Sequence, residues 1–89
     1  MAWKISLEKT AEKAIIKLDI QLRKQIRNYL RNEIAVLENP RLKGKALTGK
    51  KRGLWRYRVG KYRIVCKIKD DVLTVLVLTI AKRDVVYDD

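Results

Sequence analysis

Arg56 and Arg58 stand two apart in the run Leu54 to Val59, and Arg63 follows just beyond a Gly60-Lys61 pair. Alternation along an extended strand turns Arg56 and Arg58 to one side, and Trp55, Tyr57 and Val59 to the other. A two-residue turn at Gly60-Lys61, with glycine at its first central position, pairs Val59 with Tyr62 and sets Arg58 directly opposite Arg63. Arg56, Arg58, Arg63 and Lys67 then share one sheet face, while Tyr57, Tyr62, Ile64, Cys66 and Ile68 take the other. Like charges directly opposite in a sheet destabilise it, by something on the order of 0.2–1 kcal/mol. Either these long side chains splay into water at little cost, or the guanidinium cluster grips a phosphate bidentately. The absence of any acid nearby favours the second. Arg83 and Tyr87, four apart, fall on one side of a helical turn and can fold over this face. Tyr87 is then either a surface aromatic that anchors the tail, or a group that stacks on a base or lends its phenol oxygen to chemistry.

The charge distribution supports an anionic partner. The 89 residues carry 22 Lys and Arg against 10 Asp and Glu, a net charge of +12. Between Asn39 and Lys69 there are 12 basic residues and no acid, whereas the other 58 residues hold 10 of each sign. A surface evolved for solubility mixes signs; a one-signed stretch suits a polyanion. With no His in the chain, histidine acid–base pairs, Ser-His-Asp triads and the usual zinc sites are excluded. A single Cys, Cys66, permits no intrachain disulfide and suits a reducing compartment, where it is expected to be buried core. No apolar run approaches a membrane span, and the N-terminus lacks a signal-peptide layout. A cytoplasmic protein without a cofactor or metal is expected.

The elements that position these residues are legible from periodicity. Trp3, Ile5 and Leu7 alternate with Lys4 and Ser6 as a short half-buried strand. Ser6 is the expected cap of a first helix with an apolar stripe of Ala11, Ala14, Ile15 and Leu18. Asp19 is the expected cap of a second, longer helix carrying Leu22, Ile26, Tyr29, Leu30, Ile34 and Leu37, which Asn39-Pro40 stops. Its Arg23, Lys24, Arg27 and Arg31 form a solvated face, or one that touches nucleic acid. Arg41 to Gly53 reads as a mobile cationic loop, with Lys43, Lys45, Lys50, Lys51 and Arg52 available for general attraction to a nucleic-acid backbone. Three strands follow: Leu54 to Val59, Tyr62 to Lys69, and Val72 to Ile80. The order β-α-α-β-β-β predicts a single α+β domain over residues 1–89, an antiparallel four-stranded sheet with a helix hairpin on one face.

Several of these segments resemble the RelE/ParE superfamily of bacterial toxins, and more closely its RelE-type mRNA interferase branch from type II toxin–antitoxin systems. They are the helix hairpin ending in LENPR (Leu37 to Arg41), the Leu47-Thr48-Gly49 loop, LWRYRVGKYRIVCKI (Leu54 to Ile68) and the closing IAKRDVVY (Ile80 to Tyr87). The resemblance implies a ribosome-dependent endoribonuclease that cuts mRNA in the decoding site and is neutralised by a cognate antitoxin. It implies catalytic roles for Arg56, Arg58, Arg63, Arg83 and Tyr87; beside that set, the charge of Lys43, Lys45, Lys50, Lys51 and Arg52 reads as general backbone attraction toward ribosomal RNA. Gyrase-targeting toxins share the scaffold, and a non-catalytic ribosome or nucleic-acid binder is a further alternative. The best-known members have lysine where this chain has Arg58. Lysine can lose a proton at such a site and arginine effectively cannot, so Arg58 reads as a phosphate clamp. Tyr87 is left as the candidate base, its pKa lowered by nearby arginines.

Overall fold

A computed structural model of the chain describes residues 2–82. Seven regular elements follow in order: β1 (Lys4–Leu7), α1 (Lys9–Ile16), α2 (Ile20–Asn28), β2 (Lys45–Ala46), β3 (Trp55–Val59), β4 (Tyr62–Lys69) and β5 (Thr74–Lys82). The strands form one five-stranded sheet in the order β1-β5-β4-β3-β2. β2, β3, β4 and β5 pair antiparallel, and β1 joins the free edge of β5 in parallel. The expected four-stranded antiparallel sheet is therefore corrected to five strands of mixed direction. β2 has only two residues, too few to leave an alternation in the sequence. β1 has no hairpin partner because the chain leaves it directly for the helices. It takes the open slot beside β5, and the direction in which β5 already runs makes that pairing parallel.

The helices begin and end for identifiable reasons. The residue capping α1 is Glu8, not the expected Ser6. Ser6 still belongs to β1, opposite Leu76, and the Glu8 N–H donates to the Val77 carbonyl at 2.9 Å. Asp19 does cap α2: its Oδ1 accepts from the Leu22 N–H at 2.9 Å. Arg23 donates from Nη2 to the carbonyls of Ile16 (3.1 Å) and Leu18 (3.2 Å), satisfying acceptors that α1 leaves open and fixing the short link between the helices. After Asn28 the backbone widens into a π-helical turn, Tyr29–Ile34, and the Ala35 N–H reaches back to the Leu30 carbonyl at 2.8 Å.

That turn ends the helical run ahead of the expected Asn39-Pro40 stop. The freed backbone is taken up by Trp3, whose N–H donates to the Ala35 carbonyl (2.7 Å) and whose Nε1 donates to the Glu38 carbonyl (3.1 Å). Asn39 instead starts a 3-10 turn, Pro40–Leu42, by accepting from the Arg41 N–H at 3.0 Å.

One core lies between the helices and one sheet face. Ala11, Ile15, Ile26, Leu30 and Ile34 from the helical segments meet Tyr57, Val59, Ile64, Cys66, Val75, Val77 and Ile80 from the sheet. Each large side chain removed from water in this way contributes about 1.5–3 kcal/mol. The buried positions of β5 break strict alternation, running Val75, Val77, Ile80. A bulge explains this: Val65 pairs with Thr79 and Cys66 with Val77, leaving Leu78 as the extra residue. The added residue keeps Ile80 on the core side opposite Ile64 and puts small Ala81 opposite Arg63. No helix among the described residues is long and apolar enough to cross a membrane.

Candidate nucleic-acid interface

The β3–β4 hairpin closes as its sequence demands. Gly60 takes φ +57 while Lys61 stays outside the left-handed region, and Val59 pairs with Tyr62. Arg58 is consequently set directly opposite Arg63. Arg56, two residues back along β3, falls on the same face opposite Val65, and Lys67 follows along β4. This face points away from the helices. Arg58 and Lys67 are exposed, whereas Arg56 and Arg63 are half-buried.

β2 adds a cation that periodicity did not attach to this cluster. Lys45 pairs directly with Arg56 and so lies on the arginine face, not in a mobile loop. Its placement depends on Gly44, which has φ +81 and runs so close to β3 that an added Cβ would sit 2.5 Å from the Arg56 carbonyl oxygen and 2.6 Å from Trp55 Nε1. The Trp55 indole N–H donates to the Lys43 carbonyl at 2.7 Å, tying the approach to β2 against β3. A cleft of about 260 Å³ opens at this edge, lined by Tyr29, Gly44, Lys45, Arg56 and Arg58. Tyr29 comes from the π-helical turn; by periodicity alone it is one more apolar position of the second helix. Its only local signal is an aromatic residue at the boundary of the apolar stripe.

The other loop cations are dispersed. Lys43 forms an ion pair with Glu33 (2.9 Å), and its ammonium lies 5.9 Å from the centre of the Tyr29 ring. Lys50 and Lys51 sit in a 3-10 turn, Gly49–Lys51, with Arg52 just after it. Backbone bonds from Arg52 to Gly49 (3.2 Å) and from Leu54 to Lys51 (3.1 Å) hold this turn. The structure brings together Lys45, Arg56, Arg58, Arg63 and Lys67. It leaves Lys43, Lys50, Lys51 and Arg52 along the flank. Arg83 and Tyr87 lie outside the described residues.

Behind the face stands a rigid aromatic support. The Tyr57 hydroxyl donates to the Pro40 carbonyl at 2.6 Å within the core. Burial pushes the Tyr57 phenol far above its ordinary value, and Tyr29 meets its ring edge-on at 6.2 Å. The Tyr29 phenol is raised as well, chiefly by burial, with the Lys43 charge acting in the opposite sense. Cys66 is fully buried and burial pushes its thiol up, which makes it an inert core residue. Among the described residues no three His, Cys, Asp or Glu side chains come together to form a metal site. What the arrangement can do is hold an anion by charge-assisted hydrogen bonds from several fixed cations.

Comparison with known proteins agrees with this fold. The sequence profile of the family described as ParE toxin of type II toxin–antitoxin system, parDE, matches residues 5–87. A search among curated proteins found no match. Among solved structures, the chain is similar to one in the RelBE2 toxin–antitoxin complex of Mycobacterium tuberculosis, with TM-score 0.84, 23% identity and 93% of each chain covered. A mutant of E. coli toxin RelE in the free state gives TM-score 0.74 and 27% identity, covering 94% of this chain and 86% of that one. The archaeal RelE–RelB complex of Pyrococcus horikoshii gives TM-score 0.65 and 21% identity, covering 97% of this chain and 100% of that one. Given a profile that spans nearly the whole described fold, this chain belongs to the ParE toxin family of type II toxin–antitoxin systems, within the RelE/ParE superfamily.

Proposed function

We propose that the chain is a ribosome-dependent endoribonuclease that cleaves mRNA in the decoding site and is held inactive by a cognate antitoxin. The observation that carries this reading is Arg58 set directly opposite Arg63, flanked by Arg56 and Lys45, on a face whose strands β2, β3 and β4 contain no acid. Cations fixed by strand register are suited to one scissile phosphate. In the reaction the 2′-oxygen bonds to phosphorus, the bond to the 5′-oxygen breaks, and a cyclic 2′,3′-phosphate is left. Arg56, Arg58 and Arg63 stabilise the charge that builds on the pentacoordinate phosphate. Tyr87, as phenolate, takes the 2′-hydroxyl proton, while Arg83 neutralises the leaving 5′-oxygen, which receives its proton from water or a ribosomal group. Arginine cannot serve as the base, so the chemistry depends on the ribosome to hold mRNA ready for attack. Partnership with an antitoxin is supported by structural neighbours that were solved as RelB complexes.

Because the matching profile is that of ParE, a gyrase-directed toxin of the same fold is the second reading. Primer extension on mRNA after induction separates the two. Discrete in-frame cuts, absent in Arg58→Ala and Arg63→Ala, support the nuclease. Induction of the DNA-damage response without cuts supports the gyrase reading, and neither effect leaves a non-catalytic binder.

A further inference from the structure

The cleft at the β2–β3 edge joins two kinds of wall. One is cationic, made by Lys45, Arg56 and Arg58; the other is the half-buried aromatic Tyr29, and Gly44 also lines the cleft. Among the described residues that line it, none is acidic. A ligand that needed cations alone, such as a peptide carboxylate, would make no use of the Tyr29 ring. A nucleotide uses both, because its phosphate is anionic and its base is flat and aromatic. At about 260 Å³ the cleft lies below the usual range of roughly 300–1,000 Å³ for small-molecule pockets, and it is open to the surface. That suits one unit of a chain that continues out of it on both sides.

Tyr29 is well held for such a role. Its ring meets Tyr57 edge-on at 6.2 Å, Tyr57 is itself anchored to the Pro40 carbonyl, and the Lys43 ammonium stands over the ring. On the opposite wall, Lys45 is fixed beside Arg56 by the β2–β3 register. We infer that this cleft is a subsite for one nucleotide of single-stranded RNA next to the scissile phosphate, with the base against Tyr29, the flanking phosphate on Lys45, and the scissile phosphate held by Arg56 and Arg58. The inference rests on the nuclease reading for the identity of the nucleic acid, and adds to it a residue from outside the sheet.

Binding is tested directly by fluorescence anisotropy. The full-length toxin is titrated with a fluorescein-labelled single-stranded RNA hexamer bearing 2′-O-methyl riboses, which cannot be cut through its own 2′-hydroxyl. Tyr29→Ala is expected to weaken binding roughly tenfold, the scale of one lost base–aromatic contact, while Tyr29→Phe keeps it within about twofold. Lys45→Glu is expected to weaken binding several times more than Lys50→Glu, which makes the same charge change outside the cleft. Lys45 is exposed, so its exchange leaves the core intact should Tyr29→Ala disturb the fold. Equal losses for Lys45→Glu and Lys50→Glu, or wild-type affinity in folded Tyr29→Ala, would overturn the subsite. So would an acidic peptide that competes for the cleft as well as RNA does and shows the same dependence on Tyr29. Cleavage of mRNA with unchanged affinity in Tyr29→Ala would remove the subsite alone. Tyr29-dependent binding without any cleavage in cells would remove the nuclease reading alone.

Discussion

Gly44→Ala compared with Gly60→Ala isolates the cost of the close approach between β2 and β3. At Gly60, φ is +57 and an added Cβ meets nothing within 4 Å. Alanine there bears left-handed strain alone, about 1–2 kcal/mol. At Gly44, φ is +81 and the added Cβ would lie 2.5 Å from the Arg56 carbonyl oxygen and 2.8 Å from Tyr57 Cδ1. Neither neighbour yields easily, since one is strand backbone and the other a fully buried ring. Overpacking of that kind adds about 1–3 kcal/mol, for a sum of about 2–5 kcal/mol. In a domain of this size each kcal/mol moves the melting temperature by about 4–8 °C. Gly60→Ala should therefore lower Tm by roughly 10 °C and Gly44→Ala by roughly 20 °C. Circular dichroism melts and urea titrations at pH 7 measure both. Equal losses at the two positions would refute the claim that β2 is held by contact and not by turn geometry alone.

Three further outcomes are expected. Asp19→Ala removes the Leu22 cap and should cost about 1 kcal/mol in a urea titration, whereas Ser6→Ala, which removes no cap, should not match it. The Arg41 guanidinium donates two hydrogen bonds to Asp70 and holds its carboxyl below the ordinary value. A carboxyl depressed by folding stabilises the native state above its unfolded pKa of about 3.9, and that contribution is lost as pH falls through the folded value. Asp70→Asn should accordingly be less stable than wild type at pH 7, and the gap should close in urea midpoints measured below about pH 4. Cys66, buried and with a raised thiol pKa, should resist iodoacetamide at pH 8 in the native protein and react once urea unfolds it, read by mass spectrometry.

Strand alternation and one tight turn were enough to pair Arg58 with Arg63, because a period of two and a two-residue loop leave no freedom of register. The Asp19 cap was equally local, a side chain meeting a backbone N–H three residues on. What stayed hidden depends on distant partners. Lys45 joined the arginines only through a two-residue strand that exists because β3 is there to receive it. Glu8 displaced Ser6 at the start of α1 because β5 claims the Glu8 N–H. The helical run ended at Ile34 because Trp3, far away in sequence, takes the Ala35 and Glu38 carbonyls. The bulge at Leu78 left no mark on a strand that is apolar nearly throughout. Tyr29 could be read as a helix residue but not as a wall of the cleft, since the other wall arrives from β2 and β3.

The parallel pairing of β1 with β5 also governs when the protein can fold. Lys4 pairs with Thr74 and Leu7 with Val77, so the first strand has no sheet to join until the last one has been made. Val75, Val77 and Ile80, the β5 share of the core, arrive equally late. During synthesis the apolar faces of α1 and α2 must wait, uncovered, while the ribosome completes nearly the whole chain. Contacts between such distant segments close slowly, because the loop entropy is lost before the contacts repay it. A chain cut short before β5 therefore carries Arg56, Arg58 and Arg63 on a hairpin whose β4 edge has no β5 to pair with.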